Sequence, residues 1–228
     1  MTRSFGVSVI VPVYNGADVL PTTIAKLTDY LARKFANYEL ILIDDGSTDE
    51  SQALIRATAA KNQNIRFFVH DFNKGQQQTL ADGFLAAKNE IAITVDADLP
   101  CELGDLERIA HLAHSGTDLA LGQRARNLNR IWWRNLGSRM ANWAFRALYP
   151  FKISDFGCGI AAVRRSLIER FRTSDRPVRL IKLDLLYLAK NYAELEIHVP
   201  VTLSTGKSSY SFSKLLKLFW TVLTYRLQ

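Results

Sequence analysis

Two aspartates separated by one residue follow a short apolar run near the middle of the chain. The run covers residues 91–95, and the pair is Asp96 and Asp98. Because side chains alternate along an extended strand, both carboxylates are expected to leave its end on the same side. Mg²⁺ and Mn²⁺ prefer oxygen ligands and readily share a diphosphate. The pair is therefore a candidate Mg²⁺ or Mn²⁺ site, although short acidic pairs also begin turns.

The chain around this pair alternates between predicted strands and predicted helices. Strands are predicted over residues 8–13, 38–43, 65–69 and 91–95. Helical patterns begin near Val19 and near Gln76. This alternation predicts an α/β fold with a mostly parallel central sheet and helices on both faces. Ligands of such sheets bind at the carboxyl ends of the strands.

Polar loops follow the first three predicted strands and are expected to meet at one edge of the sheet. They contain Tyr14-Asn15-Gly16, Asp44-Asp45-Gly46-Ser47-Thr48-Asp49 and Asn73-Lys74-Gly75. In the second loop, Ser47 or Thr48 is predicted to cap the following helix, whose dipole favours the acidic residues after them. The three loops and the acidic pair are thus predicted to line one cleft.

Four motifs in the N-terminal half resemble the successive signatures of family 2 glycosyltransferases. They are Pro12-x-Tyr14-Asn15, Asp44-Asp45-Gly46-Ser47-x-Asp49, Asn73-x-Gly75-Gln76 and Asp96-Ala97-Asp98-Leu99. The resemblance continues through Gly122-x-Arg124 and the segments 155–159, 199–201 and 206–210. The closer likeness is to the branch that contains dolichol-phosphate mannose synthase and bacterial polyprenyl-phosphate glycosyltransferases. It implies the GT-A nucleotide-sugar fold.

The resemblance implies a nucleotide-sugar donor, either a UDP- or a GDP-sugar. Asp96 and Asp98 would act in catalysis by holding a Mg²⁺ or Mn²⁺ ion and, with it, the donor diphosphate. The implied nucleotide-sugar contacts come from Pro12, Tyr14, Asn15, Asp44, Asp45, Gly75, Gln76 and Arg124. Plain structural roles are the alternative at these positions: a strand edge, a turn, a helix cap or a surface cation.

The resemblance also implies an acceptor site in the C-terminal half. Asp184 is the candidate catalytic base, since transfer to a sugar hydroxyl needs a carboxylate that accepts the proton. Asp155, Lys207 and Ser208 are the implied acceptor contacts. A polyprenyl phosphate is already ionised, so Asp184 would then orient groups while Lys207 pairs with the phosphate. A helix-surface acid and a solvated turn are the alternatives for Asp184 and for residues 206–210.

Three positions depart from the family pattern. Pro100 stands where a Gln often helps to hold the metal, and Gly159-Ile160-Ala161 stands where Gly-Phe-Arg is common. Lys182-Leu183-Asp184 retains only the second acid of an expected pair. These changes concern the substrate more than the fold, and they keep open a non-catalytic nucleotide-sugar-binding protein.

Composition is consistent with one catalytic domain, predicted over residues 1–212. The chain has 228 residues, of which 48% are hydrophobic and 22% charged, enough for one sizeable core. The two cysteines are too few for a disulfide scaffold, and His111 and His114 lack partner ligands for a metal site. No apolar signal region precedes the first strand, which indicates a cytoplasmic protein.

The net charge of +7 is unevenly distributed. Residues 119–154 contain no acidic side chain but six arginines, interleaved with three tryptophans. Residues 213–228 are predicted to form an amphipathic helix, too short to span about 30 Å of hydrocarbon. Both segments suit the surface of an anionic membrane, whereas ordinary packed helices are the alternative. No motif supports binding to nucleic acid.

The sequence therefore predicts a metal-dependent, inverting glycosyltransferase at the cytoplasmic face of a membrane. It would move a sugar from a nucleotide donor to polyprenyl (undecaprenyl or dolichyl) phosphate. The alternative acceptor is a sugar hydroxyl in cell-surface polysaccharide or glycolipid assembly.

Overall fold

A computed structural model describes residues 5–124, 145, 147–174, 177–199 and 225 of the chain. Strands and helices alternate in these ranges: β1 Gly6–Val13, α1 Leu20–Lys34, β2 Asn37–Asp44, α2 Ser51–Ala59, β3 Ile65–Val69, α3 Gln76–Ala86, β4 Ile91–Thr94, α4 Leu103–His114, β5 Leu119–Arg124, β6 Ala161–Arg164, α5 Arg165–Arg172, α6 Ile181–Leu188 and β7 Tyr192–Ile197. None of the helices described has the length and hydropathy needed to cross a membrane. The predicted boundary at residue 212 and the predicted terminal helix lie outside the described residues.

The strands form one seven-stranded sheet in the order β3-β2-β1-β4-β6-β5-β7. Neighbours from β3 to β4 run parallel. β6 is antiparallel to both β4 and β5, whereas β7 pairs with β5 in parallel. The predicted α/β fold with a mostly parallel sheet is confirmed, and the antiparallel strand is an addition that the sequence pattern did not reveal.

Alternate residues of the central strands enter two hydrophobic cores, one on each face of the sheet. In β1, Val9 and Val11 enter one core and Ile10 enters the other. Apolar residues of α1, α2 and α4 complete the first core, and those of α3, α5 and α6 complete the second. A strand buried on both faces must be apolar at every position, which explains the continuous hydrophobic run of β1.

The strand order reverses between β1 and β4, and the sheet opens there. The β1–β4 pairing ends at Ile10 and Thr94, while the β1–β2 pairing continues to Val13 and Asp44. Successive residues of a strand direct their main-chain groups toward opposite neighbouring strands. Those of Pro12 point toward β4, beyond the last β1–β4 pair at Ile10 and Thr94. Its missing N–H therefore costs no hydrogen bond of the sheet. Such a reversal point is where open α/β sheets bind their ligands.

The loop after β2 differs from the capping prediction. α2 begins only at Ser51, and the residue before it makes no side-chain capping hydrogen bond. The Ser47 hydroxyl instead accepts a hydrogen bond from the Asn15 N–H at 2.9 Å. The Asn15 side-chain oxygen accepts one from the Thr48 N–H at 2.8 Å. The prediction that Ser47 or Thr48 caps α2 is wrong, because these residues join the loops after β1 and β2.

Candidate active site

The acidic pair lies at the carboxyl end of β4, beside the point where the sheet opens. Asp96 is half-buried and Asp98 is exposed. A tight turn follows, in which Leu99 has a φ of +48° and its N–H donates to the Asp96 carbonyl at 2.9 Å. The Thr23 hydroxyl of α1 donates to the Ala97 carbonyl at 2.7 Å. The turn is thus fixed through its main chain, which leaves the carboxylates for a ligand.

The Asp96 carboxylate is also bounded by groups from distant parts of the chain. Gln76 Nε2, at the start of α3, donates to Asp96 Oδ1 at 3.0 Å. Gly159 lies on another side, so close that a Cβ atom there would overlap the carboxylate. The Thr94 hydroxyl donates to the Gly159 carbonyl at 2.8 Å and fixes this approach. Glycine at position 159 therefore makes room for the carboxylate.

The electrostatics of the pair favour a bound cation. Burial raises the pKa of Asp96, and the Asp98 carboxylate raises it further, against the opposing effects of Lys182, Arg124 and Gln76. Partial burial also raises the pKa of Asp98. A divalent cation would relieve the repulsion between the two carboxylates.

The donor set at this point fits Mg²⁺ or Mn²⁺. Within the described residues there is no group of three or more His, Cys, Asp or Glu arranged to hold a metal. Asp96 and Asp98 would therefore be the protein ligands, with phosphate and water completing the shell. Mg²⁺ is commonly held in this way, by one or two carboxylates and substrate phosphates.

Asp44, at the end of β2, has a buried carboxylate oxygen without a partner. The side chain is buried, and Oδ2 accepts the Ser47 N–H at 3.3 Å. In the part of the chain that the structure describes, Oδ1 accepts no hydrogen bond. Leaving a buried acceptor unpaired is costly. A ligand N–H or O–H would offset that cost. The predicted contact of Asp44 with the nucleotide stays a prediction.

In Asp45, by contrast, both carboxylate oxygens make hydrogen bonds within the chain. Oδ1 accepts the Lys74 N–H at 2.8 Å and lies 2.9 Å from His70 Nδ1, and Oδ2 accepts the Gly75 N–H at 2.9 Å. His70 Nε2 lies 3.0 Å from Asp82 Oδ2. The carboxylate therefore holds the loop before α3 in place. Its predicted contact with the nucleotide stays a prediction.

His70, which contacts the predicted site residue Asp45, was not among the residues that the sequence motifs indicated. It is buried and directly follows β3, at the same edge of the sheet as the other loops. The available signal was its position immediately after a strand and just before the loop that contains Gly75. Its two carboxylate partners come from the loop after β2 and from α3, a pairing that only the tertiary structure shows.

Of the remaining residues predicted to contact the donor, Tyr14 is exposed, whereas Gly75 and Gln76 line an open groove. Tyr14 is 53% exposed, directly after β1. Gly75 has a φ of +90° and precedes α3, whose first turn has no side-chain cap. A groove of about 630 Å³ runs along the start of α3 and includes Lys74, Gln76 and Arg179. An exposed ring and uncapped helical N–H groups suit a nucleotide base and a phosphate.

Arg124 and Asp155, predicted to contact different substrates, form an ion pair with each other. Arg124 Nε donates to Oδ2 at 2.7 Å, and Nη2 donates to Oδ1 at 2.8 Å. Burial opposes ionisation of Asp155, but the Arg124 guanidinium outweighs it and lowers the pKa of this carboxyl. The pair joins the end of β5 to residues 155–159, which we call the 155–159 loop.

The two charged residues of α6 lie in different environments. Lys182 Nζ donates to the carbonyls of Phe156 and Cys158, at 2.8 and 2.6 Å. Asp184, the candidate base, is only 1% exposed and accepts a hydrogen bond from the Tyr225 hydroxyl. Lys182 therefore faces the 155–159 loop, and the sequence analysis did not include it among the site residues. One indication of it was present in the sequence, because position 182 carries a lysine where the family has the first acid of a pair.

Two predicted acceptor contacts, Lys207 and Ser208, lie outside the described residues. The Arg- and Trp-rich segment does so as well, over residues 125–144. The predictions at these positions stay predictions.

The sequence profile of Glycosyl transferase family 2 matches residues 8–172, which run from within β1 to the end of α5 and contain the Asp96–Asp98 pair. The chain belongs to glycosyltransferase family 2. It is a glycosyltransferase with the GT-A fold, as the resemblance implied.

Two similar curated proteins are both undecaprenyl-phosphate 4-deoxy-4-formamido-L-arabinose transferases. The protein from Aeromonas hydrophila is 32% identical over 219 residues, covering 96% of this chain and 67% of the relative. The protein from Proteus mirabilis is 31% identical over 222 residues, with the same two coverages, 96% and 67%. These relatives confirm the likeness to the polyprenyl-phosphate branch of the family.

Solved structures show the same fold at lower sequence identity. A crystal structure of a mycobacterial protein has a TM-score of 0.74 at 20% identity, covering 98% of this chain and 74% of that one. Glucosyl-3-phosphoglycerate synthase from Mycobacterium tuberculosis, in complex with Mn²⁺ and UDP-glucose, has a TM-score of 0.71 at 18% identity. The second match covers 98% of this chain and 78% of the synthase.

Proposed function

We propose that this glycosyltransferase transfers a sugar from a nucleotide-sugar donor to a polyprenyl phosphate, with inversion at the anomeric carbon. The observation that carries the proposal is the Asp96–Asp98 pair at the point where the sheet opens, bounded by Gln76 and Gly159. The names of the two curated relatives support an undecaprenyl phosphate acceptor. The product would enter the assembly of the cell envelope.

On the donor side, we propose a UDP-sugar, because a neighbouring structure holds UDP-glucose and Mn²⁺. Asp44 Oδ1 would accept a hydrogen bond from the nucleotide, which would satisfy its buried oxygen. Asp96 and Asp98 would hold Mg²⁺ or Mn²⁺, which when bound neutralises the negative charge that grows on the leaving diphosphate.

On the acceptor side, a phosphate oxygen would attack the anomeric carbon. Such an oxygen is largely ionised at neutral pH, so the reaction needs little help from a general base. The carboxylates on this side of the described chain are bound to other groups: Asp155 to Arg124 and Asp184 to Tyr225. This arrangement favours a phosphate acceptor over a sugar hydroxyl.

We further propose that the protein binds an anionic membrane from its cytoplasmic face. Support comes from the sequence of residues 119–154 and 213–228, and from the lipid acceptor that the relatives' names imply. At low salt the protein should sediment with anionic vesicles, and Arg130→Glu with Arg134→Glu should weaken this binding. Protein that stays in the supernatant would contradict membrane attachment.

The decisive experiment is a product assay. Purified protein is incubated with Mn²⁺ and a panel of labelled UDP- and GDP-sugars, with and without undecaprenyl phosphate. Label that moves into the lipid phase only when the lipid phosphate is present supports the proposal. Label that moves instead onto an added glycan or glycolipid would establish the hydroxyl acceptor, and transfer from a GDP-sugar would correct the donor.

A further inference from the structure

Lys182 places an ammonium group against the 155–159 loop, where none of the described residues gives it a carboxylate partner. Its Nζ donates to the Phe156 and Cys158 carbonyls and lies 5.5 Å from the centroid of the Phe156 ring. Among the described residues, no carboxylate lies within 4.0 Å of this nitrogen. An ammonium has three N–H donors, and these two carbonyls use two of them. The contacts fix the position of a positive charge without neutralising it.

The carboxylates nearest to Lys182 have other partners. Burial lowers the pKa of Lys182, while the more distant Asp155 and Asp96 carboxylates oppose this shift. Asp155 is held by both arms of the Arg124 guanidinium. Asp96 is the candidate metal ligand on the other side of Gly159, one residue beyond Cys158. A fixed cation with no counter-ion among the described residues, close to the candidate metal ligand Asp96, is suited to binding an anion.

A purely structural role for Lys182 does not explain why this side chain is charged. A neutral hydrogen-bond donor would connect the Phe156 and Cys158 carbonyls equally well. Burying an ammonium costs more than burying an amide, so its charge calls for a further partner. An incoming phosphate dianion needs a positive charge nearby, because Asp96, Asp98 and the donor diphosphate together carry more negative charge than one divalent cation offsets.

We propose that Lys182 binds the phosphate of the acceptor and selects it over an uncharged hydroxyl. This inference rests on the proposed function and adds the residue that determines acceptor class. In the reaction, the bond between the acceptor phosphate oxygen and the anomeric carbon forms as the bond from that carbon to the diphosphate oxygen breaks. The diphosphate keeps the electron pair and no proton moves, so a cation at this position is useful where a base is not.

Three variants separate the charge of Lys182 from its role in holding the loop. Lys182→Gln keeps an N–H donor for the loop carbonyls but removes the charge. Lys182→Arg keeps the charge. Lys190→Gln is the matched control, since Lys190 is exposed just beyond the end of α6. Thermal unfolding and binding of UDP with Mn²⁺ report whether each variant keeps its fold and donor site.

The test compares the binding of farnesyl phosphate and farnesol to the full chain, measured by calorimetry in the presence of UDP and Mn²⁺. The unmodified protein and Lys190→Gln should bind the phosphate at least about tenfold more tightly than the alcohol. Lys182→Gln should lose this preference and keep its affinity for UDP, and Lys182→Arg should retain most of the preference.

Each other outcome has a distinct meaning. No preference in the unmodified protein would overturn the proposed acceptor class itself. A preference that survives in Lys182→Gln would leave the proposed function standing and overturn the role of Lys182. Equal losses of phosphate and UDP binding in Lys182→Gln, or loss of the preference in Lys182→Arg, would show that the lysine only supports the structure.

Discussion

The donor side and the acceptor side of the cleft are held together by different forces. On the donor side, neighbouring loops are tied by main-chain N–H groups that donate to short polar side chains. Examples are Asn15 N–H to Ser47 at 2.9 Å and Gly75 N–H to Asp45 at 2.9 Å. On the acceptor side, long charged side chains from distant elements make the contacts, such as Arg124 with Asp155 and Lys182 with the 155–159 loop.

This difference indicates where substrate choice resides. Hydrogen bonds from main-chain groups fix the shape of the predicted donor side, so a bound nucleotide would meet a preformed surface. The charged side chains on the acceptor side attract ligands of opposite charge. Changing one of these side chains therefore changes which ligands are attracted. Under the proposed function, the fixed shape of the donor side would hold the nucleotide, and the charges on the acceptor side would determine which acceptor binds.

The largest effect is expected at the acidic pair, and it would test the donor side. Asp98→Ala should lower the turnover rate about a hundredfold or more, because it removes a ligand of the ion that stabilises the leaving diphosphate. The fold should survive, since Asp98 is exposed. Steady-state kinetics measure the loss, with Asp29→Ala on the exposed face of α1 as the control. Full activity in Asp98→Ala, or in excess chelator, would refute the metal assignment.

Gly159 joins the two sides, and enlarging it should damage both. A Cβ at this position would overlap the Asp96 carboxylate. Gly159→Ala should therefore lower activity about 10- to 100-fold, because small displacements of reacting groups are costly. Gly104→Ala is the control, since a Cβ there meets nothing within 4 Å. If both variants show equal activity, the close approach of Gly159 to Asp96 is unimportant for catalysis.

The two sides also differ in how well the sequence predicted them. Asp44, Asp96 and Asp98 follow apolar strands directly, so alternation and strand order were enough to bring them to one edge. Arg124 and Asp155 are 31 positions apart. Their pairing depends on the antiparallel β6, which no local pattern revealed. Asp184 had the expected residue type, but the side chain is buried against Tyr225 because α6 turns that face toward the core.

Asp45 tests whether the donor side depends on its hydrogen bonds. Asp45→Ala leaves the Lys74 and Gly75 N–H groups and His70 without their shared partner. The expected cost is about 1–3 kcal/mol of unfolding free energy, because a buried donor that loses its partner is left unsatisfied. The Michaelis constant for the donor should rise with it. Denaturant unfolding measures the first effect and kinetics the second.

Asp82→Ala provides the comparison for Asp45. It removes the outer contact of His70 and a hydrogen bond from Gln78 Nε2 within α3, and it leaves the bonds to the loop before α3 in place. A smaller loss of stability is therefore expected than for Asp45→Ala. Equal losses would mean that His70, rather than the loop, carries the effect.

The smallest effect is expected at Asp184, and its size would distinguish a phosphate acceptor from a hydroxyl acceptor. Asp184→Asn keeps one oxygen, which at the Oδ1 position still accepts a hydrogen bond from the Tyr225 hydroxyl, but it replaces Oδ2, the acceptor of the Arg179 N–H at 3.4 Å, by an NH₂ group. If the nucleophile is a phosphate oxygen, turnover should fall less than about threefold, since no general base is needed. If the nucleophile is a hydroxyl, loss of the base should cost about 10²- to 10⁴-fold. Single-turnover rates in a correctly folded variant separate these ranges. A loss in the upper range would reassign the acceptor to a sugar hydroxyl and make Asp184 its base. If the buried carboxylate only supported the fold, replacing it would lower stability but leave the rate of the chemical step unchanged.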